Sequence, residues 1–153
     1  KKLIWSLMII KDHISFFQPN PLIGKNITEL GSRFPDMSEP YNRHLITKAK
    51  TIAAAENIKL REGVYCGVTG PTFETRAEYQ MILTLGGDAV GMSTVPEVIA
   101  AVHMGLPVFA ISVITDIGLR TDGIITTHEE VLQAAKEAEP KLAHIFTALV
   151  AQL

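Results

Sequence analysis

The sequence predicts an α/β fold: a sheet of buried strands with helices on both faces. Three observations point to it. Apolar runs such as KKLIWSLMII, REGVYCGVTG and LPVFAISVITD are short and end at Gly, Pro or polar breaks. Between them lie segments whose apolar residues recur at helical spacing. The helical segments open on Ser or Thr, mostly with Glu three residues later, the signature of a helix start.

The elements follow in order. KKLIWSLMII begins like a secretory signal, but the run is short, ends in Lys11 and Asp12, and has no small-residue cleavage pattern. It is too short to span a bilayer, and it fits a strand buried on both faces. DHISFFQPNPLIGKN lacks helical period and reads as a loop, continued by GSRFPDMSEP. Ser38 is the expected N-cap of a first helix, with Pro40 in its first turn and Tyr41, Leu45, Ala49, Ile52 and Ala53 on one face, ending near Asn57. REGVYCGVTG is a strand stopped by Gly70-Pro71. A second helix starts at Thr75, with Glu78 completing a capping box and Tyr79, Ile82 and Leu83 as its apolar face, and ends at Gly86-Gly87.

DAVGMST is the next strand, and Thr94-Val95-Pro96-Glu97 the next capping box, opening a helix that runs to Met104 before Gly105. LPVFAISVITD is apolar throughout and is expected to be buried on both faces. After the loop IGLRTDGIIT, Thr127-His128-Glu129-Glu130 is a third capping box. The last helix directs Val131, Ala135, Leu142, Ile145 and Leu149 inward, and Pro140 is expected to kink it.

With 153 residues, 47% of them hydrophobic, the chain is expected to form one domain (1–153) with a real core. It shows no internal repeat or low-complexity tract. A formal net charge of −2 argues against nucleic acid as a partner, since no basic stripe exists to displace counterions from a phosphate backbone. The single cysteine, Cys66, excludes an intrachain disulfide framework and fits a reducing cytoplasm; its apolar surroundings suit a small buried hydrophobe better than a reactive thiol.

Three places put polar groups where apolar strands end, which is where open α/β sheets bind ligands. At Phe73-Glu74, a solvated acid beside a surface ring is one reading. The other is a ring that stacks on a flat ligand and a carboxylate, held ionised by the helix dipole, that accepts its N–H donors. At Met92-Ser93-Thr94, simple capping is the local reading, and a phosphate held by Ser93 and nearby amides uses the same physics. At Thr115-Asp116 with His128, both side chains could be structural, but Asp116 follows so apolar a run that it needs partners. The chain has no P-loop, CxxC pair, HExxH or serine nucleophile elbow, and no metal site can be argued.

The segments GVTGPTFETRAE, GGDAVGMSTVPEVIAAVHMGLPVFAISVIT and THEEVL closely resemble purine nucleoside phosphorylases of the trimeric class. DHI, NPLIG and GSRFPDMSEPY match the same family in the same order, so the resemblance covers nearly the whole chain. It implies a three-layer α/β/α nucleoside-phosphorylase-like fold with a mixed central sheet, here lacking its N-terminal portion. It also implies the reaction: inorganic phosphate attacks C1′ of a purine nucleoside, releasing the base and (deoxy)ribose 1-phosphate, in purine salvage. Phosphate is then a co-substrate, and no metal or organic cofactor is required. A cytoplasmic homotrimer without membrane association is the implied form.

The resemblance assigns roles by position. Phe73 packs on the base; Glu74 binds purine N1–H and, for guanine, the 2-amino group; Met92 lies under the ribose; Ser93 binds phosphate; His128 orients the ribose 5′-hydroxyl. Phe34 is donated to the neighbouring subunit's site, and Tyr65 and Val90 flank the base. Asp116 replaces the Asn of the vertebrate form. A protonated Asp could donate to purine N7 as a general acid, whereas an ionised one would favour a 6-amino group. Glu74 tips the expectation to 6-oxopurine nucleosides, inosine and guanosine, over the adenosine or methylthioadenosine alternative. The family's glycine-rich phosphate loop and its further phosphate ligands have no match here, so the chain alone is expected to be inactive or severely impaired. A non-catalytic truncated homologue is the remaining alternative.

Overall fold

The computed structural model describes residues 5–119 and 127–153. Four strands and four helices alternate along the described chain: β1 (Ser6–Phe17), α1 (Arg43–Ala55), β2 (Leu60–Val68), α2 (Arg76–Thr84), β3 (Ala89–Gly91), α3 (Val95–His103), β4 (Ile111–Ile114) and α4 (His128–Val150). The strands form one mixed sheet in the order β3-β2-β1-β4. β1, β2 and β3 are parallel, and β4 runs antiparallel to β1.

β1 is central because its first half is apolar on both sides. Leu7, Met8, Ile9 and Ile10 are all buried, the pattern of a strand with both faces covered. Leu7 joins Ala49, Ile52 and Ala53 of α1 and Ala138, Ile145 and Leu149 of α4 in one core cluster. Met8, Ile9 and Ile10 join Tyr41, Ile46, Tyr65 and the α3 residues Val95, Val98 and Ile99 in a second.

The strand does not stop at Lys11-Asp12. It runs on to Phe17, so the first part of the expected loop is strand. Backbone pairing with β2 explains this: Asp12 aligns with Val64, His13 with Tyr65, Ile14 with Cys66 and Phe17 with Val68. The register shifts between Ile10 and Asp12, and such an irregularity lets the exposed Lys11 and Asp12 pass without breaking the ladder.

α1 is capped by Asn42, not Ser38: the Leu45 N–H donates to Asn42 Oδ1 at 3.0 Å. The Ser38 N–H and hydroxyl both donate to Asp36, a local turn that outcompetes helix capping. The helix ends at Ala55, two residues before the expected stop. Asn57 takes the left-handed conformation (φ 54°), and the Ile58 N–H returns to the Ala53 carbonyl at 2.8 Å.

β3 and β4 are shorter than their apolar runs. β4 is only half-buried rather than covered on both faces, because among the described strands it pairs with β1 alone. In α2, Ile82 is buried, Tyr79 is half-buried and Leu83 is exposed. In α4 the inward face runs through Ala134, Ala138, Ile145 and Leu149, while Ala135, one position off that stripe, is exposed. The helix continues through Pro140. Among the described residues, no helix is long and apolar enough to cross a membrane.

Candidate functional site

The turn after β2, the outer face of α2, the start of β3 and the segment after β4 line a cleft of about 600 Å³. Phe73 and Glu74 reach it from the turn after β2, which contains a cis Gly70-Pro71 bond. Val90 lines it from β3, and Thr115 and Asp116 from the segment after β4. The structure thus brings together four residues singled out in the sequence: Phe73, Glu74, Val90 and Asp116. The Phe73 ring is 57% exposed, available to a flat ligand rather than spent on the core.

The capping box of α2 is formed in full. Glu78 N–H donates to Thr75 Oγ1 at 3.2 Å, and Thr75 N–H donates to the Glu78 carboxylate at 2.6 Å. Hydrogen bonds from Thr75, that of its backbone N–H foremost, hold the Glu78 carboxyl below its usual value. Glu78 therefore serves the helix start, and the carboxylate aimed at the cleft is that of Glu74.

One site residue escaped sequence reasoning. Tyr79 has the spacing of an apolar face, yet it lines the cleft together with Glu74 and Asp116. Its phenol is pushed up to about 12, first by burial, then by the neighbouring carboxylates of Glu74 and Asp116. A tyrosine at helical spacing four residues after an N-cap, with an acid just before that cap, is the only sequence signal for it.

A second cluster lies at the start of α3. Tyr65, only 4% exposed, directs its hydroxyl to the Ser93 backbone N–H and side chain, both at 3.4 Å. Ser93 Oγ lies 3.1 Å from Thr94 Oγ1. The capping box expected at Thr94 does not form, and no side-chain bond caps this helix. Thr94 sits at φ 73°, ψ −55°, and the Val95 N–H bonds to the Ser93 carbonyl at 2.8 Å. That is a strained γ-turn on a β-branched residue, of a kind that costs about 1–3 kcal/mol and clusters at functional sites. Met92 packs against Gly70, where a side chain would collide with its sulfur, so this cluster adjoins the Phe73-Glu74 turn.

The remaining predicted residues stand apart. Phe34 is 87% exposed on a surface loop, with the Arg33 guanidinium 5.7 Å from its ring centre. His128 is exposed in the first turn of α4, beyond the cleft lining. Its helix is capped as expected, Thr127 and Glu130 closing a box at 3.1 and 3.2 Å. The expected loop over IGLRTDGIIT lies largely outside the described residues.

Residues 4–151 match the model of the phosphorylase superfamily. The chain belongs to that superfamily. Its relatives within it include purine nucleoside phosphorylase 1 of Bacillus subtilis, 46% identical over 95% of this chain and 54% of that protein. The purine nucleoside phosphorylase of Bos taurus is 44% identical over 98% of this chain and 54% of the relative. A crystal structure of Schistosoma mansoni purine nucleoside phosphorylase in complex with inosine superposes with a TM-score of 0.88 at 36% identity, covering 97% of this chain and 55% of that one. The chain spans about half the length of the superfamily relatives it matches.

Proposed function

We propose that this chain carries the purine-recognition part of a purine nucleoside phosphorylase. The reaction is the reversible phosphorolysis of (deoxy)ribonucleosides of 6-oxopurines, inosine and guanosine, to free base and (deoxy)ribose 1-phosphate. The observation that supports it is the convergence of Phe73, Glu74, Val90 and Asp116 on one cleft, from three separate elements. Its volume of about 600 Å³ lies within the range usual for small-molecule sites.

The chemistry follows from what each group can do. Phe73 offers a face for stacking. Glu74 accepts from N1–H, a donor that 6-oxopurines carry and neutral adenine lacks. Asp116 meets the N7 and 6-substituent edge. As the C1′–N9 bond breaks, negative charge moves onto the base, and hydrogen bonds placed there strengthen in the transition state. Ser93, beside the amides at the start of α3, is the phosphate ligand, and Met92 lies beneath the ribose. His128 takes the 5′-hydroxyl, Tyr65 supports Ser93, and Phe34 reaches a neighbouring copy in a homotrimer. No resident cofactor takes part in this scheme; phosphate is the second substrate. A cytoplasmic setting in purine salvage and a single domain over 1–153 complete the reading.

The test is release of hypoxanthine from inosine and phosphate by the intact protein. Glu74→Ala is expected to lower kcat/KM for inosine by at least a hundredfold, the scale for losing a charged hydrogen-bond partner plus its orientation. Preference for adenosine or methylthioadenosine over inosine would overturn the substrate class. The 153-residue chain alone is expected to bind hypoxanthine but turn inosine over poorly; robust phosphorolysis by it would overturn the expectation that its phosphate ligands are incomplete.

A further inference from the structure

β3 is only three residues long, yet it serves both ends of the site. Val90 lines the cleft, and Ser93 follows the strand by two residues. Its ladder with β2 consists of Tyr65 with Ala89, Cys66 with Val90 and Gly67 with Gly91. Three pairs hold a register weakly, and a slip of one residue would turn every side chain to the opposite face. Asp88, just ahead of the strand, adds two bonds to one partner. Its N–H donates to the Val64 carbonyl at 2.9 Å, and its carboxylate accepts from the Val64 N–H at 2.8 Å. In a regular parallel ladder the N–H and carbonyl of one residue bond to two different residues of the neighbouring strand. Here the chain before Asp88 is committed to the end of α2, with the Gly87 N–H on the Ile82 carbonyl. The Asp88 carboxylate takes the place of the strand carbonyl that is missing there.

We propose that Asp88 is a positioning residue of the site: its carboxylate, clamped on the Val64 N–H, fixes the register of β3, and with it the place of Val90 against the base and of Ser93 at the start of α3. This rests on the purine reading of the cleft. A carboxylate suits the task because both its oxygens accept and a bond to an ionised acceptor is stronger than one to a neutral group. Asp88 is exposed, so its charge stays hydrated and needs no buried counter-charge. Gly63 belongs to the clamp. A Cβ there would lie 2.8 Å from the Asp88 Cβ and 2.7 Å from the Met8 sulfur, so only glycine lets the Asp88 side chain lie this close against β2.

The experiment uses the full chain, with hypoxanthine as the probe, at a temperature where parent and variants are folded. Asp88→Ala removes the acceptor. Its hypoxanthine Kd is expected to rise about tenfold, the scale of losing one well-packed apolar contact with the base. Its Val64 amide is expected to exchange with solvent at least about tenfold faster, as its bond is gone. Asp88→Asn keeps an acceptor oxygen of the same reach and is expected to bring the Kd back to within about threefold of the parent. Asp88→Glu keeps the charge and lengthens the reach by one methylene. It covers the case in which Asp88→Ala does not fold, and it is expected to weaken binding about threefold. Parent affinity in the folded Asp88→Ala, or in Asp88→Glu where Asp88→Ala does not fold, overturns the positioning role whatever stability is lost. Unchanged Val64 exchange in Asp88→Ala overturns the clamp, and an Asp88→Asn as weak as Asp88→Ala overturns the acceptor role of the side chain. Absence of hypoxanthine binding by a parent whose Val64 amide still responds to Asp88→Ala overturns the purine reading of the cleft, and the positioning role with it.

Discussion

Three helices of this chain begin at a threonine with glutamate three residues on, and they do not begin alike. At Thr75 and Thr127 the side chain and the glutamate exchange hydrogen bonds with the backbone, closing two orphan donors at each start. At Thr94 the hydroxyl turns to Ser93, the backbone enters a γ-turn with φ 73°, and no side chain caps the helix. The sequence patterns are equivalent, so local propensity cannot account for the difference. What differs is the surroundings: Tyr65 holds the Ser93 N–H and hydroxyl, and Gly91 leaves room for the Tyr65 ring. Where a local rule is broken at a cost that other contacts hold in place, function is the usual reason. At this start the hydroxyls of Ser93 and Thr94 bond to each other and to Tyr65 instead of capping the helix.

The largest effect should come from removing what enforces the strained start. A side chain at Gly91 would meet the Tyr65 hydroxyl. Gly91→Ala is expected to cost about 1–3 kcal/mol by overpacking and to weaken binding of inorganic phosphate, checked by denaturant titration and calorimetry. An unchanged midpoint would show that Tyr65 can move aside freely and does not hold Ser93 in place. The capped starts should respond differently. Thr75→Ala and Thr127→Ala are each expected to cost about 1 kcal/mol, whereas Thr94→Ala has no cap to lose and should stay within about 0.5 kcal/mol. Thr94→Gly should be neutral or gain up to about 1 kcal/mol, because glycine adopts positive φ without strain. Equal losses at all three threonines would erase the distinction.

The smallest effect is one of pH. The Glu78 carboxyl is depressed below its usual value of 4.5 by hydrogen bonds from Thr75, backbone first. A depressed acid stabilises the fold fully above its unfolded value and loses that contribution as pH falls through its lower folded value. Stability measured against Glu78→Gln, which keeps the box without the charge, should therefore show an advantage for glutamate near neutrality that fades in acid. A difference that persists in acid would mean the bond, not the charge, matters.

The order of strands and helices was readable because apolar runs and helical spacing report burial directly. The starts at Thr75 and Thr127 were readable because capping is local. Phe73 and Glu74 could be nominated as site residues because a solvated acid and ring are not needed there, and Asp116 because so apolar a run leaves it in need of partners, but only the fold brings them to one cleft. The rest depended on partners distant in sequence. His13, Ile14 and Phe17 became strand through pairing with β2, some fifty residues on. Tyr79 looks apolar by spacing and joins the site only because the fold brings it into one cleft with Glu74 and Asp116. Thr94 departs from capping because of Tyr65 on a neighbouring strand.

The cluster of Leu7, Ala49, Ala53, Ala138, Ile145 and Leu149 joins the first described strand to the last helix. It is reinforced by Trp5 donating to Glu137 at 3.1 Å and by Lys48 donating to the Gln152 carbonyl at 2.8 Å, contacts 132 and 104 residues apart. Contacts this distant in sequence slow folding, since chain entropy is lost before they can form. During synthesis, β1 and β2 can pair while α4 is still within the ribosome, leaving Leu7 and the inner face of α1 uncovered until the final turns emerge. That interval, rather than the finished fold, is when this chain most needs protection from its neighbours.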